Sequence, residues 1–121
     1  MSSAIARRLG VLVLSCFAAH AGADTPQDAQ TRAADFATCA AYYFNAVNVT
    51  PVKDYETVYG AGERAFNEGL KLVGRTQLDE LMARSSGEMM KLMGSNWNNF
   101  PTVEQRYNAD CDALMGGVPL E

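Results

Sequence analysis

The chain has 121 residues, with 10 Lys plus Arg against 14 Asp plus Glu, a formal net charge of −4, and 20% charged residues. A chain this short supports one small domain, and its acidic balance argues against nucleic acid or an anionic lipid surface as partner. It holds one histidine and three cysteines, and both counts change once the N-terminus is read.

Residues 1–23 have the order of a cleavable secretory signal peptide. Arg7 and Arg8 form a positive start, Leu9 to Ala19 an apolar run, and Ala21-Gly22-Ala23 a small-residue cleavage site. The run is far short of the roughly 20 residues a membrane-spanning helix needs, and no later stretch is long or apolar enough, so no transmembrane segment is expected. A lipoprotein anchored at Cys16 is the poorer reading, because Leu14 and Phe17 fit that pattern badly. Cleavage leaves residues 24–121 as a single helical domain with 8 basic and 14 acidic residues, net −6, in the periplasm or outside the cell. It also discards His20 and Cys16. Cys39 and Cys111 remain, and a lone pair in an oxidising compartment reads as one disulfide.

Four helices follow in chain order, with apolar residues at helical spacing in each. The first covers about Gln27 to Asn48 and turns inward Ala29, Ala33, Phe36, Ala40, Tyr43 and Val47, with Cys39 beside them and Tyr42 pointing away. The second is expected to start at Thr50 as cap and Pro51 as first helical residue, and to stop at Gly74. Its stripe is Tyr55, Val58, Tyr59, Gly62, Phe66, Gly69, Leu70 and Val73. Gly62 and Gly69 weaken a helix, so they belong where a ring or another helix comes close to the backbone, or at a kink. The third is capped by Thr76 with Asp79, faces Leu78, Leu81, Met82, Ser85, Met89, Leu92 and Met93 inward, and ends at Gly94. The fourth starts near Pro101 or Thr102, buries Val103, Tyr107, Cys111, Leu114 and Met115, and ends at Gly116-Gly117. Amphipathic helices joined by short loops pack most simply as an all-α, antiparallel four-helix bundle, in which the first and last helices are neighbours joined by the Cys39–Cys111 bridge.

Chemistry is harder to find. Without a histidine in the mature chain there is no Ser-His-Asp or Cys-His arrangement, no imidazole base and no histidine metal site, so we expect no enzyme and no cofactor. Met90-x-x-Met93 has a thioether spacing that suits Cu(I), but Met82, Met89 and Met93 lie on the stripe assigned to the core, where Met fills gaps, and no metal is expected. The most distinctive loop is Ser95–Phe100. Trp97, Asn98, Asn99 and Phe100 mix aromatic and amide groups and form the candidate partner-binding set, although the same residues could close the end of the bundle. The expected function is that of an exported, non-catalytic protein that binds another protein of the cell envelope as adaptor, inhibitor or immunity factor, with a homodimer also open. The alternatives are an acid-stress chaperone and a bundle that holds a small ligand or Cu(I).

Overall fold

The computed structural model describes residues 25–120. The signal segment with Cys16 and His20 lies outside the described residues, as does Glu121. The described chain is an antiparallel bundle of four helices: α1 (Pro26–Ala46), α2 (Tyr55–Leu70), α3 (Arg75–Met93) and α4 (Phe100–Met115). Short 3-10 turns at Val47–Val49, Val52–Asp54 and Trp97–Asn99 link them, and no strand occurs among the described residues.

Helix α1 begins with a full capping box: Thr25 accepts from the Asp28 amide at 3.1 Å while the Asp28 carboxylate accepts from the Thr25 amide at 3.4 Å, and Pro26 takes the first helical position. Three of the expected helix starts move. Thr50 does not cap α2; its hydroxyl donates to the Ala46 carbonyl at 2.6 Å, so it finishes α1 instead. The 3-10 turn then delays α2 to Tyr55. Gly74, expected as a stop, stands at the N-cap of α3, where Asp79 pairs with Arg75 at 3.3 Å rather than completing a box with Thr76. Helix α4 starts at Phe100, ahead of Pro101. Gly94 ends α3 in the left-handed conformation (φ 61°), followed by Ser95 at the same φ, and the Ser95 amide returns to the Met90 carbonyl at 3.0 Å.

The direction of the helices follows from their cross-contacts. Thr38 and Ser85 hydroxyls meet at 2.8 Å, Gln30 bonds Gln77 with the same offset of 47 residues, and the Asn45 amide donates to Ser86 at 3.1 Å. Numbers rise together, so α1 and α3 run parallel. Against α4 they run in opposition: Cys39 meets Cys111 and Tyr42 meets Asn108. The first and third helices of such a bundle usually face each other across a diagonal, yet here they touch directly. The cause is composition: Ala33, Ala37, Ala40 and Ala41 are buried and offer only methyl groups, so neighbours come close. Helix α1 therefore packs against all three other helices.

This placement corrects the expectation for Tyr42. It is only 2% exposed, stacked on Phe100 at 6.1 Å, because α1 is buried on almost every side between Phe36 and Ala46. The core is completed by Leu78, Met89, Met93, Phe100, Val103, Cys111 and Met115. The Cys39–Cys111 disulfide, with Cα atoms 5.4 Å apart, ties α1 to α4 across 72 residues of chain.

Helix α2 departs most from its expected pattern. Its buried positions are the small residues Ala61, Gly62, Ala65 and Gly69. A Cβ on Gly62 would stand 2.6 Å from the Phe44 ring, and one on Gly69 would stand 2.6 Å from a Leu78 methyl. The close approach inferred from those glycines is therefore real, a ring at one and a branched side chain at the other. With the closest contact made by small residues, Tyr55, Tyr59 and Leu70 are turned outward, while Val58 and Phe66 lie half-buried against the core.

Candidate functional site

The loop before α4 is mostly absorbed by the fold. Trp97 is half-buried and stacks on Phe100 at 6.0 Å, and Phe100 lies in the core. Asn96 accepts from the Asn98 amide at 3.0 Å, and Asn99 donates to the Met93 carbonyl at 2.9 Å. These bonds satisfy backbone groups at the start of the Trp97–Asn99 turn and at the end of α3. The loop's exposed surface is the outer half of Trp97 together with Ser95, Asn96, Asn98 and Asn99.

The methionines divide in the same way. Met89 and Met93 are wholly buried, while Met82 and Met90 are half-buried against the core. Asn45 donates to the Met89 sulfur at 3.7 Å. Among the described residues there is no grouping of three or more His, Cys, Asp or Glu placed to hold a metal ion.

Two arrangements lie beside the disulfide. On one side Tyr42 donates to Asn108 at 2.8 Å and Tyr43 donates to Asp112 at 2.7 Å. Burial pushes the Tyr42 hydroxyl up to about 12, helped by the negative charges of Glu104 and Asp112. Tyr43 is raised further by burial, and then by its bond to Asp112, which favours the protonated phenol. Both tyrosines therefore act as neutral donors that hold α1 to α4. On the other side a shallow cleft of about 570 Å³ runs between the same helices, bordered by Asp35, Thr38, Tyr107, Asp110 and Leu114.

The surface with most to offer a partner lies on α2 and was hidden by its periodicity. Tyr55 and Tyr59 are 45% and 41% exposed, and their rings stack at 5.9 Å and 10°. Val52, in the preceding turn, is 91% exposed, and Val49 also faces solvent. Phe44 from α1 lies against the inner edge of Tyr59 at 5.3 Å, seated on the bare backbone of Gly62. From there a groove of about 460 Å³ runs toward α3 between Tyr59, Glu63, Phe66, Asn67, Asp79 and Met82. The tyrosines sit at i and i+4 with Val58 and Phe66 in phase, so spacing alone assigned them to the core. The distinguishing signal was the parallel stripe of small residues, which marks the face that packs closely.

No family model, curated protein or solved structure matches this chain.

Function is therefore read from the surface itself. Among the described residues, no helix is long and apolar enough to cross a membrane. The groove is open, aromatic on its floor, and bears Glu63, Asp79 and Arg75 among its lining, which suits recognition of a side chain. Exposed rings already fixed by stacking lose little freedom when a partner covers them.

Proposed function

We propose that this is an exported, non-catalytic protein of the cell envelope that acts by binding another envelope protein, as adaptor, inhibitor or immunity factor, and that the aromatic face of α2 makes the contact. The observation that carries the reading is the stacked, outward-facing pair Tyr55 and Tyr59. Tyrosine is enriched among the residues that dominate binding energy at protein interfaces, and Val49 and Val52, in the turns that lead into α2, are exposed as well. The N-terminal 23 residues support export, and a disulfide across 72 residues is in keeping with an oxidising compartment.

The test is capture from an envelope extract with the disulfide-bonded protein, comparing the wild type with Tyr55→Ala/Tyr59→Ala and with Trp97→Ala. The double variant is expected to lose its specific partner while keeping its helical circular dichroism. Trp97→Ala, measured at a temperature where it remains folded, is expected to retain it. Capture that survives the double variant, or that is lost in Trp97→Ala alone, overturns the assignment to α2.

A further inference from the structure

Resting on that partner-binding reading, we infer that the groove between α2 and α3 takes a basic side chain, an arginine or lysine, from the protein partner. The two ends of the groove make the case. At the α3 end, the guanidinium of Arg75 lies 5.1 Å from the centre of the Phe66 ring and bonds the Asp79 carboxylate at 3.3 Å. A ring face and a carboxylate together hold a planar cation there, with one contribution from the ring quadrupole and one from charge pairing.

The other end repeats the parts without the cation. Tyr59 offers a ring 41% exposed, and Glu63 stands one helical turn beyond it on the same face. Glu63 is exposed and has no ion pair among the described residues, whereas Glu68 on the same helix is bound by Lys71 at 2.6 Å. Phe44 closes the inner wall, so a side chain entering beside Tyr59 meets apolar surface along its stem and a carboxylate at its head.

Charge around this face favours a basic partner over a second copy of this chain. Asp54, Glu56 and Glu63 are exposed near the tyrosines, against Lys53 nearby and Arg75 at the far end of the groove, where Asp79 already pairs with it. A two-fold contact through α2 would bring two copies of this acidic face together, and like charges juxtaposed in an interface are costly. A partner carrying arginine or lysine reverses the sign.

The experiment uses a short synthetic peptide with arginines in a Gly/Ser background, and a matched peptide in which neutral citrulline replaces each arginine. Both are titrated into the disulfide-bonded protein and followed by amide NMR shifts. With the arginine peptide, shifts are expected to gather on Tyr59–Asn67 and Arg75–Asp79. The citrulline peptide, equal in shape and uncharged, should bind about tenfold more weakly, and Glu63→Gln or Tyr59→Leu should each weaken the arginine peptide by about three- to tenfold. Equal binding of the two peptides, shifts mapping elsewhere, or an unaltered Glu63→Gln variant overturns the inference, as does a dimer in sedimentation that Tyr59→Leu dissociates. The two readings fail separately. Envelope capture that needs Tyr55 and Tyr59 but ignores Glu63→Gln retires the basic partner and leaves the α2 interface standing. Capture indifferent to the tyrosines, with arginine binding still dependent on Glu63, does the reverse.

Discussion

Replacing glycines on α2 and α3 by alanine separates close packing from helix propensity in one experiment. In a helix interior alanine is favoured over glycine by roughly 0.5 to 1 kcal/mol where the methyl group has room. At Gly87 it meets nothing within 4 Å, and at Gly60 only an Arg64 nitrogen at 3.8 Å, so both variants should gain that amount. At Gly62 the new methyl would stand 2.6 and 2.8 Å from two Phe44 ring atoms. Relief requires the whole ring to move, and overpacking of this kind costs about 1 to 3 kcal/mol, so the net expectation is a loss of about 1 kcal/mol. Gly69 should fare worse, with a net loss of about 2 kcal/mol, because Leu78 at 2.6 Å is wholly buried and cannot swing into solvent as the half-buried Phe44 can. Guanidinium unfolding followed by circular dichroism, with the disulfide intact, gives all four values. If Gly62→Ala gained stability like Gly87→Ala, the ring would not be seated on the α2 backbone and the groove wall would be wrongly placed.

Three further outcomes follow from the contacts between α1 and α4 and from the loop. Replacing Cys39 and Cys111 together by Ala frees a loop of 72 residues and should cost about 4 kcal/mol in the chain-entropy account, read as a lower guanidinium midpoint. Stability should fall steeply as pH rises from the ordinary tyrosine value of 10.0 toward about 12. In that window unfolded tyrosines ionise while Tyr42 and Tyr43 stay protonated in the fold, so the unfolded state binds fewer protons and alkali favours it. A Tyr42→Phe/Tyr43→Phe variant should show a flatter alkaline limb in the same titration, and an unchanged slope would place the effect elsewhere. Trp97→Ala should lower stability by about 2 kcal/mol in thermal unfolding, less than the 3 to 5 of a fully buried tryptophan, because Trp97 is only half covered where it stacks on Phe100.

Much of the architecture was legible in the residues. Helical spacing located four helices, the even cysteine pair named the bridge, and the two glycines on α2 announced a close neighbour. The helix starts were less legible, because Thr50, Thr76 and Thr25 look alike in sequence, and only packing decides which hydroxyl reaches a free amide. Tyr42 was misread since amphipathic reasoning allots each helix one inward face, whereas α1 is enclosed by three neighbours. The aromatic surface was misread for the opposite reason. Tyr55 and Tyr59 have the spacing and the hydrophobicity of a core stripe, and the closer packing available to Ala61, Gly62, Ala65 and Gly69 won the inward face. The Trp97 loop drew attention by composition, while the side chains of Asn96 and Asn99 are occupied with the 3-10 turn and the end of α3.

The alanines of α1 also set what this protein can vary. Ala33, Ala37, Ala40, Ala41 and Ala46 are buried in a helix that packs against three others, so almost no turn of α1 between Phe36 and Ala46 has a free side. Constraint there is one of volume more than polarity: even valine, hydrophobic and only two methyls larger, has nowhere to go. Diversification is thereby pushed onto the outer faces of α2, α3 and α4, where it can change the surface while the central rod stays fixed.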